Sequence, residues 1–266
     1  MGGQAGVRSR ASQRSGQGAD RQESNQESGR QKTARQALRT QTFVCGWDFE
    51  LRARAAGALH VAGVDEVGCG PLFGPVVAAA VILVEDFVLE GLTDSKKLKP
   101  SVRETFDGSI RAGAVAFAIA EVDAETIDRI NIRQAARLAM RMAVERLGVT
   151  PDHLLIDGNM RIDHACSQQT IVKGDGQSLS IAAASVLAKV YRDRLMRAFD
   201  EQFPGYGLAQ HKGYATAAHR EALRRLGPTP LHRKSFLHWE ADVALGLLTF
   251  AEDDMAVEDD QPKRGS

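Results

Sequence analysis

Val76–Val84 is an unbroken apolar run of nine residues, Val-Val-Ala-Ala-Ala-Val-Ile-Leu-Val, bounded by Gly74-Pro75 and by Glu85-Asp86. A run without polar alternation must be covered on both faces, so it reads as a central strand with a layer packed on each side. Membrane spans need about 20 such residues. This run is the longest in the chain, so a membrane-spanning helix is excluded. His60–Val64 and Ala114–Val122 read as further buried strands, and Leu154–Ile156 and Thr170–Val172 as shorter ones. Between them, Ser101–Arg111 after Pro100, Gln134–Leu147 before Gly148, Ser178–Phe203 and Ala217–Leu226 before Gly227-Pro228 read as helices. Strands alternating with helices predict an α/β chain with a mixed sheet.

The ends differ from this middle. Residues 1–42 are predicted to be a disordered basic arm: the first 40 carry seven arginines and one lysine against three acids, with few large apolar residues to offset ordering entropy. Residues 251–266 are predicted to be a disordered acidic tail, because six of the nine residues from Glu252 to Asp260 are Asp or Glu. That leaves 43–250 as one catalytic domain. The 34 basic and 34 acidic residues balance overall, so nucleic-acid binding has to rest on local clusters. The three cysteines, Cys45, Cys69 and Cys166, are odd in number and lack Cys-x-x-Cys spacing. That argues against a disulfide framework or zinc site and for a reducing, cytoplasmic setting.

The chemistry is carried by the positions of the carboxylates. Asp65-Glu66 follows the first strand and precedes Gly68-Cys69-Gly70-Pro71; Asp157-Gly158 follows another; Asp175 sits in Lys173-Gly174-Asp175-Gly176 ahead of the long helix. Acids at strand ends beside glycines occupy the usual place of α/β active sites. Converging carboxylates repel and stay ionised only with divalent cations, and hard oxygen donors select Mg²⁺ or Mn²⁺. A pair of such ions clamps the attacking and leaving oxygens of a phosphodiester. Each feature also has a plain structural reading. Asp157-Gly158 alone is an ordinary turn. Asp193 in the long helix has Lys189 and Arg197 four residues away for pairing. The glycines alone fit a tight turn, or a backbone donor and acceptor that read a ribose 2′-hydroxyl.

The blocks Gly63-Val64-Asp65-Glu66-Val67-Gly68-Cys69-Gly70-Pro71-Leu72, Thr93-Asp94-Ser95-Lys96-Lys97-Leu98, Leu155-Ile156-Asp157-Gly158-Asn159, Ile171–Gly176, Ser180–Asp193, His211–Thr216 and Leu231–Phe236 together resemble the ribonuclease HII family in its order over residues 60–240. The resemblance implies a ribonuclease H-like fold, with a mixed five-stranded sheet flanked by helices and a C-terminal helical part. It implies an endoribonuclease that hydrolyses the RNA strand of RNA–DNA hybrids and cuts at single ribonucleotides in duplex DNA. The products would carry 3′-hydroxyl and 5′-phosphate ends, and the role would be ribonucleotide removal in repair and replication. By motif it makes Asp65, Glu66, Asp157 and Asp175 both the catalytic acids and the ligands of two Mg²⁺ or Mn²⁺ ions. It makes Gly68-Cys69-Gly70 the 2′-hydroxyl reader, Tyr214 a stacking platform, and Lys96 and Lys97 phosphate holders. Cys69 stands where the family usually has arginine, which puts a phosphate contact in question and leaves backbone recognition intact.

Further cations, Lys99, Arg103, Lys189, Arg192, Lys212, Arg220, Arg233 and Lys234, form local groups. Any one group alone reads as a solvated face, but around an acidic metal centre flanking cations are expected to hold the polyanionic substrate. Ser185 is expected to pack on the sheet, and the histidines to be surface or capping residues, with His232 near substrate. The acidic end shows no apolar–aromatic sliding-clamp motif, and a monomer is expected. Three other readings remain: a DNA-junction resolvase of the same fold, a catalytically silent hybrid-binding module, and a small-molecule phosphatase.

Overall fold

The computed structural model describes residues 1–2 and 45–237, so the expected arm and tail and Trp239 lie outside the described residues. The elements are α1 (Asp48–Ala55), β1 (Val61–Val67), β2 (Val76–Leu83), α2 (Pro100–Gly113), β3 (Ala114–Val122), α3 (Ala124–Ile130), α4 (Ile132–Glu145), β4 (His153–Asp157), β5 (Ser167–Ile171), α5 (Leu179–Gln202), α6 (Leu208–His211) and α7 (Ala217–Leu226). Five strands form one mixed sheet in the order β3-β2-β1-β4-β5. β2 runs antiparallel to both β1 and β3, whereas β4 is parallel to β1 and to β5.

The apolar run does become a strand covered on both faces. Val76, Ala78, Ala80 and Ile82 face a core built with α4 residues Ala135, Ala139, Met140 and Ala143. Val77, Ala79, Val81 and Leu83 face the other core, built with α5 residues Ala182, Ala183, Val186, Leu187 and Val190. Alternating direction along a strand explains this split. Gly63 explains how closely α5 approaches β1. A Cβ there would lie 2.1 Å from the Ser180 carbonyl carbon, so only glycine lets the helix N-terminus sit on the strand.

Three helices of the described residues escape the sequence reading: α1, α3 and the single turn α6. α1 is mostly polar, and its function is at a distance: Glu50, fully buried, accepts from the Ser178 hydroxyl at 2.6 Å and the Ser180 amide at 2.9 Å. An acid from another element thereby caps the start of α5, where the first amides lack intrahelical partners. α3 starts at Asp123, whose carboxylate accepts from the Thr126 amide at 2.7 Å, and buries only Ala124 and Ile127. β1 also runs three residues beyond the expected Val64, to Val67, so Asp65 and Glu66 lie within the strand.

Candidate active site

Asp65 follows Val64 on β1, and Asp157 follows Ile156 on β4; Val64 and Ile156 are register partners in the parallel pairing. The two acids therefore leave the same sheet edge side by side. By the two-residue period they share a face with Val61, Leu155 and Ile181, the α5 side of the sheet. Asp175 comes from the 3-10 turn Gly174–Gly176 that opens onto α5. Asp157 Oδ1 accepts from the Gly174 amide at 2.7 Å, tying that turn to the end of β4. One carboxylate oxygen from each of Asp65, Asp157 and Asp175 lies within 4.8 Å of the others. Glu66, next along the strand, is outside this trio. It accepts weakly from the Cys69 thiol at 3.9 Å.

The electrostatics are those of a site short of positive charge. Burial, then the charges of Glu66 and Asp157, push the Asp65 carboxyl well above its usual range, against a lowering hydrogen bond from Ser185. Burial and Asp157 raise Glu66. Burial, then Asp94 and Asp157, push Asp175 up to about 6. Three carboxylate oxygens within 4.8 Å of one another, all hard donors, suit Mg²⁺ or Mn²⁺ and do not suit a thiol-loving metal.

The wall on the α5 side is pinned by hidden polar contacts. Ser95 and Ser185 share a hydrogen bond of 2.9 Å. Asp94 accepts from the Lys96 amide at 2.9 Å and caps the turn Ser95–Lys97. Arg103 donates to the Ser95 and Leu98 carbonyls at 3.0 and 2.5 Å. It also pairs with Asp193 at 3.6 Å, which Lys189 meets at 2.9 Å. Lys96 and Lys97 on this turn are exposed, and Lys96 faces the acids. Burial works against the Lys96 charge, but Asp94, Asp175 and Asp65 raise its pKa overall.

The glycine turn is held from behind by two buried arginines. Arg233 donates to the carbonyls of Gly68, Cys69 and Gly74 at 2.6, 2.9 and 2.9 Å. Arg192 donates to Pro75, Phe73 and Lys212 at 3.2, 3.1 and 2.9 Å. Gly68 has φ +92, and a Cβ on it would meet Arg192 Nε at 2.3 Å. Burial, then Arg192, lowers the Arg233 pKa to about 9.

The C-terminal helices bring Tyr214 onto this turn. The Leu72 amide donates to the Gly213 carbonyl at 2.9 Å, the Gly74 amide to Leu231 at 2.9 Å, and the Arg233 amide to Leu72 at 2.8 Å. A Cβ on Gly70 would lie 3.7 Å from the Tyr214 ring. Behind Tyr214 three histidines interlock. His219 Nδ1 is 2.9 Å from the Tyr214 carbonyl, His219 Nε2 is 3.2 Å from His232 Nε2, and His232 Nδ1 accepts from the Thr229 amide at 2.9 Å. This fixes the tautomers: His219 carries its proton on Nδ1 and His232 on Nε2. His211 stacks on His219 with ring centroids 4.4 Å apart.

These contacts correct several sequence expectations. Arg103, Lys189, Arg192 and Arg233, expected to hold substrate, are instead engaged inside the fold; Arg192 and Arg233 are fully buried. His219, expected at the surface, and His232, expected near substrate, are buried partners of each other. Ser185, expected to pack, is a polar contact of the site. Asp193 pairs with Lys189 and with Arg103, not with Arg197. The sequence signal for the arginines was weak, because their acceptors are carbonyls more than 115 residues away for all contacts but one.

The sequence model of the family described as Ribonuclease HII matches residues 62–239. A ribonuclease HII of Solibacter usitatus is 55% identical over 194 residues, covering 73% of this chain and 85% of that protein. Ribonuclease HII of Geobacter sulfurreducens is 53% identical over 190 residues, covering 71% and 88%. Among solved structures, ribonuclease H2 from Pyrococcus horikoshii OT3 superposes with a TM-score of 0.59 at 23% identity, over 71% of this chain and 97% of that one. Bst-RNase HIII in complex with Mn²⁺ superposes with a TM-score of 0.52 at 23% identity, over 66% and 64%. These two show the ribonuclease H-like fold, as the mixed sheet does. With half the sequence shared over most of both chains, this protein belongs to the ribonuclease HII family, divalent-metal-dependent endoribonucleases that act on RNA–DNA hybrids.

Proposed function

We propose that the protein hydrolyses the RNA strand of RNA–DNA hybrids and also cuts at a single ribonucleotide embedded in duplex DNA. The ends would be 3′-hydroxyl and 5′-phosphate, and the cellular role ribonucleotide removal during repair and replication. The observation that carries this reading is one juxtaposition. An oxygen trio of 4.8 Å lies beside a glycine turn that the Tyr214 ring flanks.

In this reading Asp65, Glu66, Asp157 and Asp175 hold two Mg²⁺ or Mn²⁺ ions. The chemistry such ions supply when bound is activation of water and stabilisation of the leaving oxygen. The rest falls to the chain. The Gly68-Cys69-Gly70 backbone presents a donor and an acceptor to the 2′-hydroxyl, which distinguishes ribose from deoxyribose. Tyr214 stacks on the adjoining sugar or base and blocks a shifted register. Lys96 and Lys97 hold the backbone phosphates, and the Lys96 charge is reinforced by the acids it faces. The Ser185 hydrogen bond favours the ionised form of Asp65.

The test is incubation with a duplex carrying one ribonucleotide, with and without Mg²⁺, beside an all-DNA duplex and an all-DNA four-way junction. Metal-dependent cutting at the ribonucleotide alone is the expected result. Cutting of the junction, or hydrolysis of hybrids with no cut at the isolated ribonucleotide, overturns the finer reading.

A further inference from the structure

Arginines recur every fourth residue at 129, 133, 137 and 141, from the end of α3 along α4. Within α4 the repeat 133, 137 and 141 keeps one face and advances about 6 Å per step. The segment leaving β4 lies along this face, its Arg161 carbonyl accepting from Arg137 Nε at 2.9 Å. Between helix and segment runs an open groove of about 480 Å³ lined by Arg133, Gln134, Arg137, Asn159, Met160 and Arg161. Its polar lining is three guanidiniums and two amides, with no carboxylate.

The charges there are not neutralised. Among the described residues, Arg133, Arg137 and Arg161 form no ion pair. Arg133 Nε meets Met160 Sδ at 2.9 Å and Arg137 Nη1 meets Gln134 Oε1 at 3.1 Å, both uncharged partners that orient the cation and leave its charge. Arg133 and Arg161 are exposed. Arg141, one turn further, is balanced by Glu145 and Asp163. The uncompensated stretch therefore lies at the end of α4 where Asp157 leaves the sheet. Asn159 follows Asp157 by two residues, a reach of at most about 7 Å. α4 covers the sheet face opposite to α5, so this groove and the Lys96–Tyr214 wall flank the acids from two sides.

We propose that this groove is a second binding site for the sugar–phosphate backbone of the hybrid, taking phosphates beyond the reacting one. A line of fixed cations along an open channel complements a linear polyanion, whereas a compact free anion calls for a closed pocket. The inference rests on the RNA–DNA substrate reading above and adds to it a surface on the α4 side.

The experiment uses the full chain with Arg133→Gln and Arg161→Gln combined. Hybrid binding is measured without metal across a salt series, and cleavage with Mg²⁺. Losing two phosphate contacts should lower the slope of log K against log salt by about two. KM should rise about tenfold at physiological salt, with kcat at saturation within twofold of the parent. Arg52→Gln, an exposed charge on α1, should leave slope and KM unchanged. An unaltered slope and KM in the double variant overturns the proposal. So does an equal change in the Arg52 variant, which would mean that any lost charge suffices. A slope that stays put while inorganic phosphate raises the melting temperature of the parent and not of the variant would make the groove a free-anion site, also overturning it. If the double variant melts early, Arg161→Gln alone carries the test, with a slope change of about one. Binding is read without cleavage, so a parent that cuts nothing sinks the function and still reports on the groove.

Discussion

Asp157 Oδ1 and the Gly174 amide are 2.7 Å apart, so the acid at the end of β4 also fastens the turn that carries Asp175. Asparagine keeps an oxygen at that position and loses the charge. Asp157→Asn should therefore retain the fold and hybrid binding while lowering kcat by more than about 100-fold, the upper end for losing even a supporting partner of a metal ligand. Circular dichroism and cleavage of a labelled hybrid check both halves. A variant that cleaves at the parent rate removes Asp157 from the metal site.

Arg192 and Arg233 spread six hydrogen bonds over the backbone around the glycine turn. Lysine keeps the charge and loses the planar fork. Arg233→Lys should leave at least one buried carbonyl without a partner, a cost of about 1–3 kcal/mol. Urea unfolding will measure that loss. Discrimination between ribonucleotide-containing and all-DNA duplex should fall with it, because the turn loses its backing.

Gly63→Ala places a methyl group 2.1 Å from main-chain atoms of Ser180. Backbone cannot rotate aside as a side chain can. The substitution should destabilise the protein by about 3 kcal/mol or more, at the upper end for overpacking. Differential scanning calorimetry would show the drop, and an unchanged melting temperature would mean that α5 sits farther from β1.

His219 and His232 report on pH. Burial, against hydrogen bonds that favour the proton, lowers His219 to about 4; burial and the neighbouring His219 lower His232 to about 3. Their surroundings are Tyr214, Thr229, Phe73, Tyr206 and His211, the last of these near Asp200. Unfolded histidine titrates near 6.5, so below that pH the unfolded chain binds more protons than the folded one. The stability these two provide is complete above about pH 6.5 and is lost as pH falls towards 4 and 3. Amide hydrogen exchange across α7 should accelerate over that window. Ring resonances that titrate near 6.5 would refute it.

Cys69 offers its carbonyl to Arg233 at 2.9 Å, a bond indifferent to its side chain. Cys69→Arg should therefore change hybrid cleavage by less than tenfold. A larger gain in kcat/KM would show that a guanidinium at this position contacts the substrate.

The sheet and most helices were legible because their patterns are local: nine apolar residues for β2, apolar residues at helical spacing before Gly148 for α4, proline and glycine at helix boundaries. Asp157 and Asp175 were legible because each adjoins a glycine at a predicted strand or helix end, and Asp65 because it opens an acid pair at the end of an apolar run. α1 was not, since its function is to supply Glu50 to a helix about 130 residues later. Arg192 and Arg233 were misread because a cation bound to backbone carbonyls has the same sequence appearance as one waiting for phosphate. The arginine repeat on α4 is a period of four in the sequence, but its meaning depends on which acids lie opposite, which only the fold shows.

β1 and β4 run in the same direction, one strand spacing apart, and each carries an aspartate one residue beyond the Val64–Ile156 register pair. That spacing is about 4.8 Å in any sheet, so the gap between the two anions is inherited from main-chain hydrogen bonding rather than tuned by rotamers. Affinity for hard cations at this rim is thus a by-product of topology. A slip of β4 by two residues against β1 would return every side chain to its own face. The core would survive such a slip, and the chemistry would not.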